Sequence, residues 1–177
     1  MSANQLGGIS RTKFLVNALG FNVIWALLVI MRDPWTHGVA LLFLALHFLF
    51  MPQADEARRV TLVMIIGTLI DGILTHQGWF IFTPEVPWIP AWLILLWACF
   101  GCTLEHSLRW AMKQIPVAML LGAIAGPLSY FAGYRFGAVE FGHGLWLTLG
   151  LLSVIWALLM GGLSRLYAHF GWLEAPR

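Results

Sequence analysis

The chain has 177 residues, of which 60% are hydrophobic and only 10% charged, and its formal net charge is +2. Soluble domains carry about 25% charged residues, so this composition excludes an ordinary soluble globule and a disordered chain. The few cations form no basic face, which excludes a nucleic-acid binder and leaves an integral membrane protein with the lipid bilayer as its partner.

Six apolar segments approach or exceed the roughly 20 residues that a helix needs to cross a bilayer core of about 30 Å. In chain order they are Phe14–Met31, Trp35–Met51, Val60–Phe82, Trp88–Ser107, Ile115–Tyr134 and Leu145–Tyr167. They are continuously apolar rather than alternating, which favours helices over a membrane barrel. The sequence therefore predicts an all-α fold, a single domain over residues 1–177 with six transmembrane helices.

Lysine and arginine concentrate at one set of span ends, and this bias predicts the orientation of the chain. If the N-terminus is cytoplasmic, the inner side carries Arg11, Lys13, Arg58, Arg59, Arg109, Lys113, Arg165 and Arg177. The outer side then carries only Arg32 and Arg135. We therefore expect both termini to be cytoplasmic.

Asp71 is the clearest ionisable residue inside the apolar spans. Asp71 falls about twelve residues into the third span, roughly 18 Å along a helix that rises 1.5 Å per residue. A charge in the bilayer core costs about 2.5–3.5 kcal/mol, so such a residue usually binds a proton, an ion or a substrate. Arg135, at the end of the fifth span, has a compatible depth for an ion pair with it. The alternative is a structural hydrogen bond from Tyr130 or Tyr134.

Polar and aromatic residues crowd the outer ends of the predicted spans. They are His76, Gln77, Trp79, Glu85, Trp88 and Trp92, followed in the next outer loop by Glu140, His143 and Trp146. Tryptophan is enriched at membrane interfaces, so one interpretation is an aromatic belt. The other is an aromatic pocket for an apolar ligand in the outer leaflet. The candidate binding residues for that pocket are Trp79, Trp88, Trp92 and Tyr130.

The inner half of the fourth span carries Cys99, Cys102, His106 and Arg109 at helical spacing, and Glu105 precedes Arg109 by one turn. A Cys-x-x-Cys followed by a histidine can ligate a metal or act as a dithiol near a quinone. This pair has no relay partner, however, and Glu105 with Arg109 is more simply an i,i+4 ion pair.

Histidines along the spans raise a haem alternative, since membrane cytochromes hold haem between paired histidines. The histidines concerned are His37, His47, His76, His106 and His143. No second helix matches the His37 and His47 pair at both depths. The sequence therefore assigns no metal ligand and leaves any cofactor unknown.

Small residues on the fifth span predict close helix packing. Gly122-x-x-x-Gly126 and Gly133-x-x-x-Gly137 form a glycine face of the kind found at membrane helix contacts. Pro127 is expected to kink this helix and to release the carbonyl near Ala123 from its backbone hydrogen bond.

The chain resembles a bacterial inner-membrane family of about this size that is known only as a domain of unknown function. The resemblance rests on Asp71-Gly72, Gly78-Trp79-Phe80, Pro87-x-x-Pro90-x-Trp92, Ser107-x-x-Trp110 and Gly126-Pro127-x-Ser129-Tyr130-x-Ala132-Gly133. It implies a helical membrane fold in the bacterial inner membrane, and no reaction.

A looser similarity to the small helical lycopene cyclases rests on Asp71, Gly78 and Pro87-x-x-Pro90. That family has paired glutamates after its proline, whereas Ala91 and Trp92 stand here. The similarity therefore implies no cyclase activity.

The leading hypothesis is a membrane protein that binds or modifies an apolar lipid- or isoprenoid-type molecule. Its candidate catalytic residues are Asp71, His76 and Arg135. The alternatives are a small proton-coupled transporter, with Asp71 as the coupling group, and a non-catalytic subunit of a membrane complex. A membrane-protein partner or a homo-oligomer is compatible with each of them.

Overall fold

The computed structural model describes residues 11–51, 53–83, 86 and 88–173. Its elements in chain order are α1 (Arg11–Ala26, continued by a π-helical turn over Leu27–Met31), α2 (Pro34–Phe50), α3 (Glu56–His76), β1 (Phe80–Ile81), α4 (Ala91–Gly101), α5 (Arg109–Met112), α6 (Ile115–Arg135), β2 (Glu140–Phe141) and α7 (Leu145–His169). The described part is thus a helical bundle with one short ladder between β1 and β2.

Three helices within the described residues are long and apolar enough to cross a membrane: Arg11–Met31, Ile115–Arg135 and Leu145–His169. Two more, α2 and α4, are apolar but shorter, and α3 carries charged residues at its start and at Asp71. Large apolar side chains such as Trp146 and Leu49 lie on the surface, 82% and 68% exposed, as expected where lipid is the solvent. The chain is therefore a membrane protein, and the count of six spans and the orientation of the termini stay predictions.

The turn between α1 and α2 follows from local sequence. Arg32 has a left-handed backbone with φ of 52°, which ends the first helix. Asp33 then caps α2, because its carboxylate accepts a hydrogen bond from the backbone N–H of Trp35 at 3.2 Å. Pro34 occupies the first helical position, where a missing N–H costs nothing.

The third predicted span is too long at its end. The sequence predicts helix to Phe82, but α3 ends at His76, and Gly78 turns the chain with φ of +74°. Residues 80–81 instead form β1, which pairs antiparallel with β2. Phe80 lies opposite Phe141 in this ladder. We call this the ladder end of the bundle.

The fourth predicted span, Trp88–Ser107, is wrong over its second half. The helix α4 ends at Gly101, and turns cover residues 102–108 before the short α5. The reason is Asn17 of α1, which is buried there. Its amide donates to the carbonyl of Cys102 at 3.0 Å and accepts from the N–H and hydroxyl of Ser107 at 3.2 and 2.6 Å. These bonds satisfy backbone groups that a helix would otherwise satisfy itself.

Because the helix stops, the predicted helical face through Cys99, Cys102, His106 and Arg109 does not form. The predicted ion pair of Glu105 with Arg109 is also wrong. Glu105 binds Arg59 of α3, and Arg109 donates to the carbonyl of Leu173.

The glycine face of α6 packs as predicted at its first pair. Gly122 and Gly126 lie against Trp156 and Met160 of α7, so closely that a Cβ on either glycine would overlap these residues. The carbonyl of Ala123, which Pro127 leaves without its helical donor, accepts a hydrogen bond from the Ser153 hydroxyl of α7 at 2.7 Å. The two helices are thereby joined by packing and by a partly buried hydrogen bond.

The second glycine pair does not extend this face. Gly137 lies beyond the end of α6 with φ of +67°, the left-handed position that commonly terminates a helix. Only Gly133 of this pair is helical, and it faces Val29, Ala138 and Val139 at van der Waals distance.

Candidate functional site

Asp71 lies inside the bundle with 1% of its surface exposed, and two donors hold its carboxyl group. The Tyr130 hydroxyl of α6 lies 2.7 Å from Oδ1 and 2.8 Å from Oδ2. The indole N–H of Trp97 on α4 donates to Oδ2 at 2.7 Å. This is the structural alternative that the sequence left open for Tyr130, with Trp97 as a second donor.

Stacked aromatic rings fix both donors. Trp97 stacks on Trp156 of α7 with ring centroids 5.2 Å apart, and Tyr130 stacks on Phe80 of β1 at 5.1 Å. Gly67, one turn before Asp71 on α3, lies directly under the Trp97 indole, and a Cβ there would overlap the ring. The site thus depends on a glycine to seat the ring that holds the carboxylate.

A cavity of about 630 Å³ adjoins these two donors, between α1, α4, α6 and α7. This volume is in the range of small-molecule sites, about 300–1,000 Å³. Its lining is mainly apolar and includes the aromatic residues Trp25, Trp92, Trp97, Phe100, Tyr130 and Trp156. Along α1 the lining runs from Phe14 to Val29, about 22 Å at 1.5 Å per residue, which exceeds half of a bilayer core.

The cavity reaches the surface of the bundle between α1 and α6. Phe14 and Asn22 of α1, and Ala125 and Leu128 of α6, line the cavity and are also exposed. Its opening is therefore on the side of two helices that are apolar enough to face lipid.

Few polar groups lie along the cavity wall, and most of them bond to protein. Trp25 donates its indole N–H to the Ser129 hydroxyl at 2.8 Å, which ties α1 to α6. Ser107 is bound by Asn17, and Thr103 donates to the carbonyl of Phe100. Such a wall can give a ligand a large apolar contact area but few hydrogen bonds.

The predicted ligand-binding residues lie in different places. Tyr130 and Trp92 line the cavity. Trp88 packs over Gly72 of α3, and Trp79 lies against the ring of His143 with centroids 4.4 Å apart, both outside the cavity lining. Their roles in binding stay predictions.

The predicted catalytic partners of Asp71 do not contact it in the described structure. Arg135 is the last residue of α6 and is exposed, and no ion pair with Asp71 forms among the described residues. His76 is the exposed last residue of α3. Pro84, Glu85 and Pro87 of the outer loop lie outside the described residues.

Sequence reasoning missed Trp97 as a partner of Asp71. Trp97 lies among leucines in the fourth predicted span, and the sequence does not distinguish it from the other apolar residues there. The available signal was depth, because Trp97 and Asp71 both lie near the middle of their predicted spans, and an indole in the bilayer core needs an acceptor for its N–H.

A second buried cluster joins α2, α3 and the turns after α4. The Nε2 atoms of His47 and His106 lie 2.8 and 2.9 Å from the same oxygen, Oε1 of Glu56. All three residues are at most 4% exposed. Among the described residues, this is the one group of three or more His, Cys, Asp or Glu side chains whose geometry can hold a metal ion.

An ion pair lies beside this cluster. The Arg59 guanidinium binds both carboxylate oxygens of Glu105, at 2.7 Å for Nη2 and Oε2, and also donates to the carbonyl of Ala54. Its guanidinium carbon lies 5.5 Å from the centre of the Trp172 ring. Arg59 and Glu105 are 6% and 2% exposed, so both charges are removed from solvent.

The redox and haem alternatives find little support in this geometry. Cys99 and Cys102 are both free thiols with 0% exposure. The His47 and His106 rings meet edge to face with centroids 4.8 Å apart on one carboxylate, which leaves no space for a macrocycle between them.

Comparison with known proteins identifies a family but no activity. Neither the curated proteins nor the solved structures contain a match to the chain. A family model described as a protein of unknown function, DUF2878, matches residues 14–162. The chain therefore belongs to the DUF2878 family of proteins of unknown function.

Proposed function

We propose that this protein binds an apolar, lipid- or isoprenoid-type molecule in the cavity between α1, α4, α6 and α7. The observation that carries the proposal is a 630 Å³ cavity with aromatic walls that adjoins the buried Asp71 through Tyr130 and Trp97. Its length along α1, about 22 Å, suits an extended hydrocarbon chain. Aromatic and aliphatic walls contribute affinity through buried apolar area, about 25 cal/mol per Å².

The polar end of the ligand is a hydrogen-bond donor such as a hydroxyl group. Trp97 can only donate, and the Tyr130 hydroxyl donates to the same carboxyl group, so both hydrogen bonds end on Asp71. With its proton committed to Asp71, the Tyr130 oxygen can offer a ligand only an acceptor. A lipid alcohol satisfies this acceptor, whereas an ether of the same chain does not.

The lateral opening supports a ligand that enters from the lipid. Exposed lining residues lie on α1 and α6, both of which are apolar along their length, and at Trp110 of α5. A proton-coupled carrier for a water-soluble solute needs a polar path, and the polar groups at this wall are few and bonded to protein. Lipid binding is therefore favoured over transport of such a solute.

Filling the cavity is expected to weaken binding at least tenfold without unfolding the protein. Ala125 lines the opening, so Ala125→Phe places a ring in the path of the ligand. The same substitution at Ala45, an exposed position of α2 outside the cavity, is the matched control. Binding is measured as energy transfer from tryptophan to cis-parinaric acid, a fluorescent fatty acid, in detergent micelles.

We expect saturable transfer in the wild-type protein, an affinity at least tenfold lower in Ala125→Phe, and a wild-type value in Ala45→Phe. Transfer that is equal in all three proteins would mean that the probe partitions into the micelle alone, and the proposed function would then be rejected.

Asp71→Asn is expected to change which ligand end is preferred. The carboxamide oxygen can still accept from Trp97 while its N–H donates to the Tyr130 oxygen, which frees the hydroxyl proton to face the cavity. Wild-type protein should therefore prefer geranylgeraniol over its methyl ether by up to about tenfold, the value of one net hydrogen bond of roughly 0.5–1.5 kcal/mol. In Asp71→Asn this preference should disappear.

The measurement is displacement of cis-parinaric acid by each of the two probes. Because Asn is nearly isosteric with Asp, the variant should accumulate as the wild type does. If Asp71→Asn fails to accumulate, the role of Asp71 is structural. If its preference for geranylgeraniol is unchanged, the Tyr130 hydroxyl does not bind the polar end of the ligand.

A further inference from the structure

We propose that His47, Glu56 and His106 bind a divalent metal ion of the zinc, iron or manganese class. Two imidazoles and a carboxylate from three separate segments converge there, with all three ligand atoms within 4.8 Å of one another. In protein metal sites, nitrogen and oxygen ligands stand about 2.0–2.2 Å from the ion, so ligand atoms lie roughly 3–4 Å apart. The side chains therefore need only small rotations to surround an ion.

The hydrogen bonds between protein groups leave this cluster incompletely satisfied. Both histidine contacts fall on Oε1 of Glu56, while Oε2 is buried and has no hydrogen-bond partner in the described part of the chain. A buried carboxylate oxygen without a donor is costly, and each such atom in a native structure needs an explanation. A cation at the carboxylate supplies the missing partner.

The local charges also favour a cation. Arg59 and Glu105 neutralise each other as a buried ion pair, so the Arg59 guanidinium is not available to Glu56. No lysine or arginine of the described residues lies within ion-pairing distance of Glu56, whose bonded partners are His47 and His106. Buried charges are normally paired or coordinate a metal.

The ligand types narrow the identity of the ion. Imidazole with carboxylate suits zinc, iron and manganese, whereas thiolates select softer ions, and neither cysteine belongs to the set. Because His47, Glu56 and His106 come from α2, α3 and the turns of residues 102–108, the ion would link these three segments. None of the three ligands lines the cavity. This inference is independent of the proposed lipid ligand.

The test is metal content and metal binding of the full-length protein, purified through a tag that carries no histidine. Elemental analysis should find about one transition-metal ion per chain. After removal with EDTA, titration with Co²⁺ alone should produce visible absorption bands that saturate at one equivalent.

Two ligand variants and one matched control assign the site. Glu56→Gln keeps an oxygen that accepts from the histidines, so it preserves the fold while removing the charge. The single variants Glu56→Gln and His106→Gln should each weaken Co²⁺ binding by at least about tenfold. His37→Gln, on the same helix as His47 but outside the cluster, should bind as the wild type does.

The wild-type titration decides the matter even if a variant does not fold. Absence of both native metal and Co²⁺ binding would overturn the inference and leave the cluster as a set of structural hydrogen bonds between Glu56 and the two histidines. Binding that persists unchanged in Glu56→Gln and His106→Gln would also overturn it, because the ion would lie elsewhere.

Discussion

Replacing Arg59 by methionine is expected to lower the free energy of unfolding by about 3–5 kcal/mol, the usual cost of leaving one partner of a buried ion pair uncompensated. Arg59 is the partner of Glu105 and a donor to the carbonyl of Ala54. Its loss leaves the buried Glu105 carboxylate without its cation. The measurement is unfolding by SDS titration in mixed micelles, followed by circular dichroism.

The neighbouring Arg58 provides a matched control. It is exposed on the same helix, so Arg58→Met removes the same charge and chain length without uncovering a buried partner. Surface substitutions of this kind usually change stability by less than about 0.5 kcal/mol. Equal losses of unfolding free energy in Arg59→Met and Arg58→Met would mean that Arg59 contributes only through the net charge of the protein and not through its pairing with Glu105.

A double variant separates the ion pair from simple packing. If the cost comes from an unpaired carboxylate, Arg59→Met with Glu105→Leu should recover most of the stability lost in Arg59→Met alone. Apolar replacements of buried ion pairs are often neutral or stabilising. A double variant that is as unstable as the sum of its single variants would instead assign the loss to the missing contacts with Ala54 and Trp172.

The positions of the helices could be predicted from the sequence because apolar length alone determines where a helix can lie in lipid. The predicted spans Ile115–Tyr134 and Leu145–Tyr167 differ from α6 and α7 by one or two residues at their ends. The contact between these helices was also predictable, since Gly122 and Gly126 have few uses in a membrane helix other than close approach.

The end of α4 could not be predicted in the same way. Residues 102–108 hold polar side chains of the kind that also occurs at the ends of membrane helices, and what ends the helix is Asn17, whose side chain bonds to Cys102 and Ser107 from 85 and 90 residues away. Hydropathy averages over a window and does not register a single distant amide. The same limit applies to β1, which forms only because the backbone of β2 lies beside it.

The two polar sites were predictable to different degrees. Asp71 is identifiable because a carboxylate within an apolar span is rare, and Tyr130 was one of two tyrosines at a suitable depth. The cluster of His47, Glu56 and His106 was missed because its members come from three elements and none is unusual alone. The available signal was the common depth of the three residues, at or near the inner ends of predicted spans.

Gly67→Ala is expected to destabilise the protein by about 1–3 kcal/mol, the range for overpacking a filled core. The new methyl group would overlap the Trp97 indole, which is 3% exposed and is held between Trp156 and Asp71. The indole must therefore move, and the hydrogen bond to Asp71 is lost with it. Alanine at Gly150 of α7, where nothing lies within 4 Å, should stabilise the helix by up to about 1 kcal/mol.

The role of Trp97 in this loss of stability can be tested separately. In a Trp97→Leu background the space above Gly67 is free, so Gly67→Ala should cost almost nothing there, and the two substitutions should be strongly non-additive. Trp97→Leu and the double variant should both still have a weaker preference for geranylgeraniol, because without the indole donor the Asp71 carboxyl group is less well oriented toward the Tyr130 hydroxyl. If Gly67→Ala lowers the free energy of unfolding equally with leucine and with tryptophan at position 97, its effect does not act through the Trp97 ring. If the double variant Gly67→Ala with Trp97→Leu regains both the stability and the ligand preference of the wild type, Trp97 only fills space and does not orient Asp71.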